Sequence, residues 1–211
     1  MSDDVPDQLD AQLLLRAYAQ GAFPMTEPDT GEIYWYHPDP RAILPLDQMH
    51  ISRSLRRRLR QQPFEIRQDT SFRQVMIECA KPRKHEAESW IDDRFIDAYT
   101  DLHEMGFAHC VEAWEDGELV GGVYGVSING LFAGESMFSR RTDASKVCLV
   151  HLVEHLNQRG YELLDVQFQN DHIAQFGVIE IPREQYIQRL NAAIQAPITW
   201  QDICSEDDAD D

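Results

Sequence analysis

The 211-residue chain is long enough for one full domain and a small appendage, and its 43% hydrophobic content is that of a globular protein, which sets disorder aside. No apolar run approaches the roughly 20 residues that span a bilayer, and the acidic first ten residues lack the apolar stretch of a secretory signal. The formal net charge of -18 argues against nonspecific nucleic-acid binding over the whole surface.

Taken in chain order, Leu9–Gln20 reads as a short helix ended by Gly21, with Leu9, Leu13, Leu14, Ala17 and Tyr18 on one stripe. The stretch from Phe23 to Pro45 is rich in proline and aromatics, and predicts a small irregular unit with short strands near 33–36 and 42–44. An arginine-rich helix is expected over Ser52–Gln61. Phe72, Val75, Met76 and Cys79 mark a second helix, and Phe95, Tyr99, Leu102 and Met105 a third. Three strand-like runs follow, His109–Trp114, Leu119–Ser127 and Leu131–Met137. The hairpin dipeptides Asp116-Gly117 and Asn129-Gly130 separate them. A helix from Ala144 to Gln158, a strand from Leu163 to Phe168 and a helix over Glu184–Ile194 complete the pattern. The expected class is α+β. Residues 1–50 form an N-terminal unit, 51–198 a main domain with a mostly antiparallel sheet, and 199–211 an acidic tail.

Charge is unevenly spread. From Arg53 to Lys84, ten basic residues face only Glu65, Asp69 and Glu78, a local balance of +7. Within that window Arg53, Arg56, Arg57, Arg58 and Arg60 are candidate contacts to an anionic partner such as RNA. The same residues also fit a solvated helix face. Cys79, Cys110, Cys148 and Cys204 form no CxxC pair, which points away from a disulfide framework or zinc site and fits a reducing cytoplasm. His151-Leu-Val-Glu-His155 matches a zinc-protease pattern, but Leu152 and Leu156 belong to the helix's core stripe and no motif marks a third ligand. No metal and no cofactor are expected.

Eight short blocks occur in order: WYHPDPR (35–41), HISRS (50–54), WI (90–91), GGVYG (121–125), GESMFS (134–139), ASK (144–146), DVQ (165–167) and NDH (170–172). Together they closely resemble the bacterial leucyl/phenylalanyl-tRNA–protein transferases, over roughly residues 11–191. The order of an antiparallel meander, a helix and a strand is also that of GCN5-related N-acetyltransferases. The resemblance implies an aminoacyltransferase that moves Leu or Phe, with Met a further donor, from tRNA to proteins beginning with Arg or Lys, marking them for degradation by the N-degron pathway.

The chemistry asks little of the enzyme. The donor is an activated ester and the nucleophile is an α-amine with an ordinary pKa of about 7.7–8.0. The protein must orient the amine, handle one proton and stabilise an oxyanion. Asp165 and Gln167, two apart on a strand, face the same way. The resemblance gives them the catalytic role, with the carboxylate orienting the amide; a buried hydrogen-bonded pair fits the same residues. Glu135, between Gly134 and Ser136, suits recognition of a cationic acceptor residue, since the resemblance implies acceptors that begin with Arg or Lys; a carboxylate satisfied by neighbouring backbone amides fits the same position. By the same resemblance Val123, Phe132, Met137, Leu152, Leu156 and Leu164 line the donor side-chain pocket, although several also fit an ordinary core. Trp35 and Trp90 are candidates to stack on the terminal adenine, at roughly 1–3 kcal/mol per stack. Two rivals stand beside this reading. A CoA-dependent acetyltransferase needs a glycine-containing pyrophosphate loop, and the junction 139–146 has no glycine. A non-catalytic RNA-binding module explains the basic window but not the Asp165/Gln167 pair.

Overall fold

The computed structural model describes residues 9–27, 30–82 and 89–201. The first helix starts later than the apolar stripe implies. Asp10 accepts the Leu13 N–H at 2.7 Å and caps α1 (Ala11–Ala19), leaving Leu9 outside the helix but buried. Next comes β1 (Phe23–Thr26), which pairs antiparallel with β2 (Ile33–Tyr36) in a two-stranded sheet. Pro24 argues against a strand in sequence, yet a two-stranded sheet consists only of edges, where proline is tolerated.

The chain continues through β3 (Arg41–Ile43), α2 (Arg53–Arg60), β4 (Glu65–Gln68), α3 (Phe72–Cys79), α4 (Asp93–Glu104), β5 (Ala108–Glu115), β6 (Glu118–Ile128) and β7 (Leu131–Ser139). Then come α5 (Ala144–Arg159), β8 (Leu163–Gln167), α6 (Asp171–Ala174), β9 (Ile179–Ile181) and α7 (Arg183–Ala193). The large sheet has the order β4-β5-β6-β7-β8-β3-β9. Every pairing is antiparallel except β7 with β8, which the crossover helix α5 makes parallel. The α+β class and the mostly antiparallel sheet are those expected from sequence. Strands β1, β4 and β9 and the short α6 were not. No described helix is long and apolar enough to cross a membrane.

The sheet separates two apolar clusters. On one face Phe72, Val75, Phe95 and Tyr99 of α3 and α4 pack with Leu14, Tyr18 and Phe23 from the N-terminal segment. On the other, α5 contributes Val147, Leu149, Leu152, Val153 and Leu156, joined by Leu55 of α2. A smaller cluster lies under α7, around Leu163, Ile181, Tyr186 and Leu190.

Two irregularities shape the sheet's centre. The pairing of β6 with β7 shifts between Tyr124↔Ser136 and Gly125↔Gly134, so Glu135 is the extra residue of a β-bulge. The pairing of β7 with β8 stops at Ala133↔Asp165, while β7 runs on to Ser139 and β8 to Gln167. The two parallel strands therefore part just before the bulge. Gly125 makes the bulge possible, because a Cβ there would fall on the Ala133 carbonyl oxygen and the Phe132 ring. Gly125→Ala is expected to cost about 1–3 kcal/mol, as in other overpacked sites. Urea unfolding measures this, and an unchanged midpoint would mean that the β6–β7 spacing is soft.

Candidate active site

Arg41 is a charged residue in a three-residue strand, and only 1% of it is exposed. A buried guanidinium needs a carboxylate and a full set of acceptors. The partner comes from β8: Nε donates to Asp165 Oδ1 at 2.9 Å and Nη2 to Oδ2 at 2.5 Å. Nη1 donates to the Gly21 carbonyl at 3.0 Å, which ties the α1–β1 turn to the large sheet. The rings of Phe23 and Tyr186 lie 4.6 and 4.5 Å from the guanidinium carbon. Burial works to lower the Arg41 pKa, but the hydrogen bonds and charge of Asp165 outweigh it and hold the pKa above its ordinary value.

Asp165 is fully used. Besides Arg41, its Oδ2 accepts the Tyr186 hydroxyl at 2.8 Å and its Oδ1 accepts the Gln167 backbone N–H at 2.9 Å. The carboxylate therefore does not touch the Gln167 side-chain amide, and orients it only through the backbone. It holds that backbone at a φ of 65° that non-glycine residues seldom adopt. So positioned, the side-chain Nε2 of Gln167 donates to Glu135 Oε1 at 2.7 Å.

Glu135 joins the pair to the N-terminal helix. Its Oε1 also accepts the Tyr18 hydroxyl at 2.7 Å, and its Oε2 accepts the Tyr99 hydroxyl at 3.4 Å. Tyr18 and Tyr99 hydroxyls are 2.5 Å apart. The residue still touches solvent at the splay. Its carboxyl is enclosed, and burial pushes the pKa up to about 8 against the ordinary 4.5. The Asp165 charge adds to the rise, while the Tyr18 and Tyr99 hydrogen bonds and the Arg41 charge oppose it. Arg41, Tyr18, Tyr99 and Tyr186 were missed as site residues. Only Arg41 lay in a motif, WYHPDPR, and the tyrosines looked like core aromatics.

Other expected site residues separate by face. Val123, Phe132, Leu152, Leu156 and Leu164 are packed together on the α5 face, none more than 3% exposed, and Met137 is partly exposed at their edge. Trp35 and Trp90 are partly exposed on the opposite, Tyr99 face, with Trp90 edge-on to Phe95 at 5.4 Å. The arginine helix α2 packs on the α5 face through Leu55, so it and the tryptophans lie across the sheet from one another.

The basic window proves narrower than its composition. Arg67 pairs with Glu65, Arg73 with Asp97 and Lys81 with Glu78, while Arg83 and Lys84 fall outside the described residues. Arg58 is partly buried with its guanidinium 5.3 Å from the centre of the Phe64 ring, a packing position. Arg53, Arg56, Arg57 and Arg60 are exposed. The acidic tail and Cys204 lie outside the described residues.

In the HxxEH segment, His155 Nε2 meets the Trp200 carbonyl at 3.1 Å and Nδ1 meets Gln68 Nε2 at 3.4 Å, so both ring nitrogens of His155 are engaged within the protein. Among the described residues, Asp69, His103 and His109 bring ligand-type atoms together. There, His109 Nδ1 bonds Asp69 at 2.8 Å and its Nε2 bonds the Gly106 carbonyl at 3.1 Å, so both ring nitrogens are taken by the protein.

Residues 43–191 match the family model described as leucyl/phenylalanyl-tRNA protein transferase, and residues 7–39 match that family's N-terminal domain. A curated relative from Herpetosiphon aurantiacus, named leucyl/phenylalanyl-tRNA–protein transferase, is 55% identical over 92% of this chain and 98% of its own. One of the same name from Salinibacter ruber is 47% identical over 98% of this chain and 89% of its own. A GNAT-family acetyltransferase from Staphylococcus aureus aligns with 47% of this chain and 71% of its own, at 18% identity and a TM-score of 0.38.

The raised pKa of Glu135 has a consequence for stability. Its folded value, about 8, lies above the ordinary 4.5, so the protonated carboxyl favours the folded state. That contribution is complete below about pH 4.5 and is lost as pH rises through about 8. Glu135→Gln removes this dependence. The variant's urea midpoint is expected to gain on the wild type between pH 5 and pH 8.5; a constant difference across that range would contradict the shift.

Proposed function

The chain belongs to the leucyl/phenylalanyl-tRNA protein transferase family, an aminoacyltransferase family, and on that premise we propose that it moves Leu or Phe, with Met a further donor, from aminoacyl-tRNA to the N-terminal Arg or Lys of acceptor proteins. In the cytoplasm this marks the acceptors for degradation by the N-degron pathway. The observation that carries the reading is the splay of β7 and β8 beside the bulge, because it brings a polar and an apolar face together at one opening.

On the apolar side, the donor side chain enters next to Met137, over the cluster of Val123, Phe132, Leu152, Leu156 and Leu164. Such a slot discriminates by shape, at about 1–3 kcal/mol per methylene. On the polar side, Gln167 and Glu135 receive the acceptor, with Glu135 facing its cationic residue. Asp165 acts as a positioning residue. It touches Arg41, Tyr186 and the Gln167 backbone rather than substrate, and so fixes where the Gln167 amide stands. The arginines of α2 meet tRNA phosphates on the α5 face. Trp35 and Trp90, on the Glu135 face, offer stacking surfaces to the terminal adenine.

The CoA-dependent alternative is less well supported. Arg140 is paired with Glu78 and Arg141 with Glu115. The Ser145 N–H in the first turn of α5 is taken by Ser139 Oγ at 3.2 Å. These are groups a pyrophosphate would need. The direct test is transfer of labelled Leu from Leu-tRNA to an Arg-initiated peptide by the purified chain. Transfer is expected, with acetyl-CoA inert as a donor. Peptide acetylation without Leu transfer would overturn the reading, and tRNA binding without either reaction would favour the RNA-binding module.

Replacing Arg53, Arg56, Arg57 and Arg60 with Ala is expected to raise the KM for aminoacyl-tRNA and leave that for the peptide nearly unmoved. The salt dependence of log KM should flatten by about 0.7–0.9 for each phosphate that is no longer neutralised. An unchanged slope would make α2 a solvated face only.

A further inference from the structure

Making an amide from an ester and an amine moves one proton from the nitrogen to the departing ribose oxygen. A side chain that carries this proton must bind and release it near the working pH. The opening between β7 and β8 offers few such groups. The Gln167 amide does not hold a proton. Asp165 is fully buried, and Arg41, Tyr186 and the Gln167 backbone occupy both its oxygens. Tyr18 of α1 and Tyr99 of α4 are raised well above the ordinary tyrosine value, by burial first and then by the Glu135 charge, so they remain donors.

Glu135 has the freer carboxylate. The bulge sets it beside the end of the β7–β8 pairing, where the residue is partly exposed while its carboxyl is enclosed. Its Oε1 is held by Tyr18 and Gln167, both at 2.7 Å, and its Oε2 has the long Tyr99 contact at 3.4 Å.

We infer that Glu135 is a catalytic residue of the transfer, whose Oε2 takes the proton from the acceptor nitrogen as the C–N bond forms and returns it to the ribose oxygen as the ester C–O bond breaks. The inference rests on the aminoacyl-transfer reading and adds to it a role beyond acceptor recognition. The amine lone pair forms the bond to the ester carbon, and the carbonyl π pair moves onto its oxygen. The nitrogen, now positive, gives one proton to Oε2. The oxygen pair then re-forms the carbonyl, the C–O pair leaves with the ribose oxygen, and that oxygen takes the proton from Oε2. Glu135 ends as it began, and no further reactant is consumed.

The proton balance suits this passage. Burial pushes Glu135 up to about 8, so its carboxyl can bind and release a proton near the working pH. The groups facing Glu135 come from four elements: Tyr18 on α1, Tyr99 on α4, Arg41 on β3, and Asp165 and Gln167 on β8. Asp165 raises its pKa, and Tyr18, Tyr99 and Arg41 lower it.

The test separates this role from acceptor recognition. A recognition residue changes the peptide's KM, and saturating peptide restores the rate; a proton carrier lowers the saturated rate itself. Single-turnover transfer from Leu-tRNA, with both substrates saturating, is followed from pH 6 to 9.5 for the wild type, Glu135→Gln and Glu135→Ala. The Gln variant is expected to fall about 10²–10⁴-fold, and its acid limb, which protonation of the acceptor amine alone then sets, to be shallower than that of the wild type, where amine and carboxyl must both be deprotonated. Added formate is expected to restore part of the rate to Glu135→Ala, because a small carboxylate can occupy the vacated place. A wild-type saturated rate in Glu135→Gln would overturn the inference, as would a wild-type acid limb no steeper than that of the Gln variant. A wild-type chain that transfers nothing would overturn the aminoacyl-transfer reading and this step with it.

Discussion

The structure depends on one buried ion pair. Arg41 and Asp165 are 124 positions apart in the chain, and their side chains are each about 1% exposed. Leaving either charge alone in that environment costs about 3–5 kcal/mol. The paired arrangement satisfies that constraint through bidentate geometry and a third bond to the Gly21 carbonyl. A hydrophobic pair of equal volume also fills space, but it cannot fix three chain segments at defined angles. Here the pair sets the α1–β1 turn, the short strand β3 and the end of β8 relative to one another.

The site follows from that constraint. Asp165 holds the Gln167 backbone in its left-handed conformation, at a cost of order 1–3 kcal/mol that the surrounding bonds must outweigh. The Gln167 amide can then reach Glu135 across the gap between the splayed strands. Glu135 is brought there from the other side by the bulge, which in turn needs glycine at position 125. Tyr18 enters from α1, a helix that the Gly21 bond to Arg41 anchors. A carboxyl raised to about 8 inside this network lowers stability at neutral pH.

Much of the fold was legible because local signals carried it. Asp116-Gly117 and Asn129-Gly130 form the two tight turns of the β5–β6–β7 meander, and Asp116, Gly117 and Asn129 all take positive φ. The apolar stripe of α5 is the one buried in the core. What escaped was short or non-local. Strands β4 and β9, four and three residues long, give too little alternation to read, and Pro24 hid β1. At the candidate site, Asp165, Gln167 and Glu135 stand in motifs of the sequence, but the hydrogen bonds that link them could not be read there. Nothing in the local sequence shows that Arg41 turns inward rather than out to solvent. Arg58 erred the other way: it was counted with its exposed neighbours, yet its guanidinium packs on Phe64.

The central claim is that Arg41 and Asp165 act as one unit that sets the geometry of transfer. A double-mutant cycle on the saturated single-turnover rate tests it, using Arg41→Met, Asp165→Asn and the double variant, with stability measured alongside. Each single variant should be slow, because either change releases the end of β8 and with it the Gln167 amide. The double variant should be no slower than the slower single, as expected for groups that work together. Losses that multiply would contradict the account, since Arg41 and Asp165 would then contribute separately and the ion pair would not be what organises the site.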